Sequence, residues 1–249
     1  MRPPMPTFHT LAAIVLAAAP FLTSCMDASS RGPVWTGPPF SAELIDPGQP
    51  GKPPTKVYLA DGKIRLESED PSSMGALVLD PAHNTTLLID AQKRAYIDAG
   101  MFTSVVTVGV APLMRFFRPA GTGDPCSGWN STVSQYSTFV KHDKSNTPPH
   151  FTCRSLGSES VDGRPAAKWA FITDGEHADT GIVWIDDKLH IVSRSMDPSG
   201  QMEMRNVHEG AQPASLFTAP AGYKKVSVAS IIGGMMKGSG DSSSTSHSP

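Results

Sequence analysis

Cysteine, net charge and long apolar runs are all scarce in this sequence, and each scarcity excludes something. Three cysteines in 249 residues are too few for a disulfide-dense scaffold. Cys126 and Cys153 have no second Cys or His at ligand spacing, which argues against a metal site. A formal net charge of −2 with no basic stripe argues against nucleic acid as a partner. No Gly-x-Ser-x-Gly elbow is present, since Gly157-Ser158-Glu159-Ser160 lacks the closing glycine. There is no phosphate-binding glycine loop either. With no constellation for chemistry and no cofactor motif, the chain reads as a binding or interaction protein, not an enzyme.

One apolar run does stand out, at the very start. Leu11–Leu22 is almost wholly apolar and follows a short positive start at Arg2. A bilayer span needs about 20 residues, so this run suits the core of a signal peptide better. Leu22-Thr23-Ser24-Cys25 follows it. That sequence is similar to the lipobox of bacterial lipoproteins, an aliphatic residue and two small ones ahead of a cysteine. The resemblance implies cleavage after residue 24 and attachment of fatty-acyl groups such as palmitate to Cys25. The expected home is the cell envelope, with the mature protein on a membrane surface facing the periplasm. Met26, not an acidic residue, follows Cys25, which favours the outer membrane over the inner one.

Once residues 1–24 are removed, only Arg2 is lost from the charge count, and the rest suits a single all-β domain. Residues 25–39 are rich in Pro, Gly and Ser and read as lipid anchor and tether. Residues 238–249 read as a disordered tail. Between them, 40–237 punctuates itself with turns. Asp61-Gly62 sits between two alternating segments, a strong hairpin signal. Further turns fall at Asp80-Pro81, near Ala91-Gln92, and near Gly163, Gly175, Asp187 and Ser199. The intervals leave room for strands over Ala166–Thr173, Thr180–Asp186, Leu189–Met196 and Gln201–Val207. Short strands joined by tight turns make an antiparallel meander, with no alternation of strand and helix for a Rossmann-type fold.

Two segments break that rhythm. Val106, Val110, Leu113, Met114 and Phe117 fall at helical spacing, so 103–117 reads as an amphipathic helix despite Pro112. Val228, Ile231, Ile232, Met235 and Met236 suggest a second, weakened by Gly233-Gly234. Residues 118–149 read as a long loop insert. An oxidising compartment and the even count left beside Cys25 favour a Cys126–Cys153 disulfide, with two separate buried thiols as the alternative. The local cluster Asp174-Gly175-Glu176-His177-Ala178-Asp179 reads as a hairpin tip of turn formers.

The order of these pieces resembles a known family. GALVLD, NTTLLIDAQKRAYID, a helical segment, VDGRPAAKWAFIT, GIVWIDDKLHIVSRSM and LFTAPAGYKKV follow one another. Trp184-Ile185-Asp186 before a hairpin and the late Phe217-x-x-Pro220-x-Gly222-Tyr223-Lys224 are the most telling. Over about residues 40–228 this is similar to the LolA/LolB-like superfamily of bacterial envelope proteins. The resemblance implies a mainly β (α+β) fold, an antiparallel open half-barrel covered by one or two short helices. It also implies a cavity for acyl chains, lipid or lipoprotein; independently of it, the apolar residues Val106, Val110, Leu113, Met114 and Phe117 suit a lid over such a concave face, or else complete a permanent dry core. The alternative is a periplasmic sensor or scaffold without lipid cargo.

Overall fold

Apolar and polar residues alternate from Phe40 onward, and the fold follows from that alternation. The computed structural model describes residues 35–70, 75–100, 123–130, 150–174, 180–198 and 200–227. The first six strands are β1 (Phe40–Ile45), β2 (Thr55–Ala60), β3 (Lys63–Ser68), β4 (Ala76–Asp80), β5 (Thr85–Asp90) and β6 (Ala95–Asp98). The next five are β7 (Phe151–Val161), β8 (Arg164–Thr173), β9 (Thr180–Asp186), β10 (Val192–Asp197) and β11 (Gly200–Glu209). A three-residue strand, β12 (Lys224–Val226), comes last. They form one sheet in the order β12-β6-β5-β4-β3-β2-β1-β11-β10-β9-β8-β7, open because its outermost strands are not paired with each other. All pairings are antiparallel except β12 with β6. The expected mainly β, open architecture is therefore the one observed.

Two meanders, β1–β6 and β7–β11, meet where β1 pairs with β11, Phe40 opposite Glu209 and Leu44 opposite Met204. Two of their hairpin turns are ones the sequence marks. Asp61 and Gly62 both take positive φ, 51° and 76°, as a two-residue β2–β3 hairpin requires. Asp162 and Gly163 repeat the device between β7 and β8, at 49° and 76°.

Register carries the alternation across strands. Phe40 lies opposite Leu59, Leu59 opposite Ile64, and Ile64 opposite Leu79. All four are buried, in one cluster with Val57, Leu66, Val183, Ile185 and Met204. This is the main core, on one face of the sheet. The opposite face is covered too. Ala60, Ala76, Val78, Leu87 and Ile89 pack there against Phe217, which belongs to the segment leading to β12. Arg65 fastens that segment, donating from Nη1 to the Leu216 carbonyl at 3.0 Å. Covered on both sides, β4 is buried at every position, which explains its continuous Ala-Leu-Val-Leu run.

At the turn after β9, Asp186 is 2% exposed. Its carboxylate accepts from Arg164 Nε at 2.6 Å and Nη2 at 3.2 Å, and from the Lys188 and Leu189 amides at 2.9 and 2.7 Å. Arg164 also meets Glu209 at 3.0 Å, and Glu209 meets Lys188 at 2.6 Å. On the same outer face Trp184 lies between two cations, Lys168 Nζ and the Arg194 guanidinium carbon each 4.9 Å from its ring.

One expectation is corrected. The 118–149 stretch is not all loop, for residues 125–130 are helical. Asp124 caps them through Oδ1, accepting from the Cys126 amide at 2.9 Å. Pro125 stands in the first turn, where its missing N–H costs nothing. Cys153 lies within strand β7. Cys25, the 103–117 segment with Val106, Val110, Leu113, Met114 and Phe117, and the 228–236 segment lie outside the described residues.

Candidate functional site

The helical residues 125–130 are attached to the inner face of the sheet at three points. Cys126 and Cys153 are joined by a disulfide with Cα atoms 5.6 Å apart. Asn130 acts as a short substitute strand toward β7. Its Oδ1 accepts from the Phe151 amide at 2.7 Å, and its Nδ2 donates to the Phe151 carbonyl at 2.9 Å. Between these two ties Trp129 is set into the core. Cys126 and Trp129 are three positions apart, which places them on one side of a helical turn.

Trp129 meets two phenylalanines edge to face. Its ring centre is 5.7 Å from that of Phe151 and 6.0 Å from that of Phe171, at interplanar angles of 70° and 88°. Phe151 and Phe171 are 6.3 Å apart. Such geometry sets ring edges against ring faces. The three aromatics line a cavity of about 10 Å³ together with Val183, Val192, Ser195 and Asp197, room for about one water molecule. Its lining is mostly apolar. Trp129 is 8% exposed. Among the described residues, its indole N–H is a buried side-chain polar atom without a hydrogen-bond partner.

Gly181 supports this group from the neighbouring strand. A Cβ there would lie 2.6 Å from two Phe171 ring carbons and 2.8 Å from the Met196 carbonyl oxygen. The backbone oxygen cannot move aside as a flexible side chain would. Gly181→Ala is therefore expected to cost about 1–3 kcal/mol by overpacking. Thermal unfolding measures it, and an unchanged midpoint would mean that Phe171 has room to shift.

Chemically the site can hold something apolar with a small polar group. It is no metal centre as it stands. Asp124, Cys126 and Cys153 bring their donor atoms within 4.8 Å of one another, but both sulfurs are committed to each other. The disulfide and its partners are those the sequence indicates. The aromatic trio is not, and its one signal is Trp129 following the cysteine at helical spacing. The 174–179 cluster contributes Asp174, which accepts from the His150 amide at 2.7 Å and closes the end of the β7–β8 pair. Residues 175–179 lie outside the described residues. Among those described, no helix is long and apolar enough to cross a membrane.

No protein-family model matches the chain. No curated protein sequence matches it significantly. Solved structures similar to it include an uncharacterised conserved protein of Thermus thermophilus, with 10% identity, 80% of this chain and 96% of that one covered, and a TM-score of 0.42. They include the MucA/MucB complex of Pseudomonas aeruginosa, with 16% identity, coverages of 81% and 61%, and a TM-score of 0.42. They also include a Vibrio parahaemolyticus domain put forward as that of an outer membrane lipoprotein-sorting protein, with 9% identity, coverages of 76% and 92%, and a TM-score of 0.26.

Proposed function

We propose that this chain is a lipid-anchored protein of the bacterial cell envelope that receives an apolar ligand on the inner face of its open sheet. The ligand class is an acyl chain, a lipid or the lipid part of a lipoprotein. One observation carries the reading: the small aromatic-lined cavity beneath residues 125–130, mostly apolar in lining. Ligand sites are concave and largely apolar, with few polar groups. At about 10 Å³ the cavity is far smaller than an acyl chain. Uptake therefore has to displace apolar side chains, and the 103–117 segment is proposed as the part that yields.

The anchor is proposed on Cys25 from the lipobox-like sequence. Cys25→Ala is expected to move the protein from the membrane to the soluble fraction, read by fractionation, with fatty acid found only on the wild type. Firm membrane binding by the variant would remove the anchor from the proposal. Density-gradient separation of the two membranes distinguishes outer from inner placement. For the ligand, native mass spectrometry should find co-purified lipid, and a fluorescent fatty-acyl probe should bind saturably. A folded protein that does neither loses the ligand reading.

A second reading, an envelope sensor or scaffold without lipid cargo, draws on the opposite edge of the site. Strand β7 borders the sheet and exposes Arg154 through Ser160. Sheet edges accept an added strand from a partner. A stable protein complex formed by a lipid-free chain favours that reading.

A further inference from the structure

We infer that the indole N–H of Trp129 is a ligand contact, and that it selects a neutral carbonyl oxygen, as in an acyl ester or amide. The inference rests on the apolar-ligand reading above and names the chemistry of that ligand's head. A buried donor without a partner is costly, and in native structures such groups are few. Here the unpaired donor belongs to a residue that lines the cavity, and it is the buried side-chain polar atom left without a partner among the described residues. The indole carries only a donor, so its complement is an acceptor.

The size and charge of the cavity narrow that acceptor. About 10 Å³ accommodates one water-sized group, which is the bulk of a carbonyl oxygen and not of a chain. Asp197 lies on the same lining. That lining is otherwise mostly apolar, and an ionised head loses its hydration there, which is costly without a paired charge. A free fatty acid is therefore a poor occupant, and an ester or amide a good one. Phe151 and Phe171 line the same cavity, so the carbons next to the carbonyl would meet aromatic rings.

The test uses the whole chain with Cys25→Ser, which keeps any acyl group of its own out of the assay. The neutral fluorophore phenylnaphthylamine is bound first and then displaced by undecane, methyl decanoate or decanoate. Methyl decanoate is expected to compete about tenfold better than either of the others, the worth of one buried hydrogen bond. Trp129→Phe, which keeps an aromatic ring without the donor, is expected to abolish that preference while undecane still competes. In the wild type, the indole N–H proton resonance missing from the Trp129→Phe spectrum should move downfield with methyl decanoate and stay put with undecane. This last readout holds even where the variant packs poorly. Equal competition by ester and hydrocarbon, or an unmoved resonance, overturns the inference and leaves the apolar-ligand reading intact. Decanoate competing as well as the ester overturns the selection of a neutral head. A fluorophore that never binds overturns the apolar-ligand reading and takes this inference with it.

Discussion

Asp186→Ala is expected to destabilise the protein by about 3–5 kcal/mol, read from urea unfolding monitored by circular dichroism. Asp186 is 2% exposed, and its removal leaves Arg164, about three-quarters buried, with Glu209 as its remaining carboxylate partner. Breaking a buried pair from one side leaves the remaining charge short of its compensation, hence the large figure. The Lys188 and Leu189 amides lose their acceptor as well, so the turn between β9 and β10 loosens. A cost below about 1 kcal/mol would show that water replaces the carboxylate freely. The same group gives a pH dependence. Burial alone raises the Asp186 carboxyl, but the Arg164 hydrogen bond and the two amides outweigh it and hold it below its ordinary 3.8. A carboxyl lowered in the folded state releases its proton there first, and the unfolded chain binds more protons in between. Its contribution is thus complete above the ordinary value and is lost as pH falls below it. Asp186→Asn should flatten the acid limb of the stability curve.

Opening the Cys126–Cys153 bridge is expected to remove about 3 kcal/mol, the entropy of a closed loop with a sequence separation of 27 residues. The loss should be local in structure. Only Cys153 of the pair lies in a strand, and β7 is at the border of the sheet. Residues 125–130 should lift away and expose Trp129, raising quenching of its fluorescence by acrylamide. The far-ultraviolet signal of the sheet should persist. Ligand-probe binding should fall with it, because the cavity loses one wall. Alkylation of the unreduced protein in denaturant should find neither thiol. Two reactive thiols there, or a sheet that melts on reduction, would contradict this account.

Much of the fold was legible because turn chemistry and alternation act locally. The Asp61-Gly62 pair and the turns at Gly163 and Asp187 mark their hairpins without help from the rest of the chain. Strand β9 was expected over Thr180–Asp186 and is found there. Strand β7 was harder. Thr152-Cys153-Arg154-Ser155-Leu156-Gly157-Ser158-Glu159-Ser160 is polar and mostly exposed, so no alternation reveals it. It is a strand because β8 offers it a ladder from Phe151 opposite Thr173 to Val161 opposite Arg164. Tertiary pairing overrides weak propensity at such edges. The helical residues 125–130 were hidden by the Pro and Gly around them, although Asp124-Pro125 is an ordinary helix start. The candidate site was half legible. Compartment and cysteine count point to the bridge, whereas the meeting of Trp129 with Phe151 and Phe171 depends on which strands end up side by side. The proposed lid offers no comparison, as 103–117 lies outside the described residues.

The pairing of β1 with β11 has a consequence in time. A chain that emerges N-terminus first can complete the β1–β6 meander early, from neighbours in sequence. One edge of β1 must then wait, because its partner strand begins only at Gly200. Closing so long a loop adds little to the equilibrium cost, which grows only with the logarithm of length. It does delay the event, since distant contacts form slowly. Until then Phe40, Ala42 and Leu44 lie at an open border, with the carbonyls and amides of β1 unpaired on that side. An arriving chain is most prone to mispair with its neighbours in that interval.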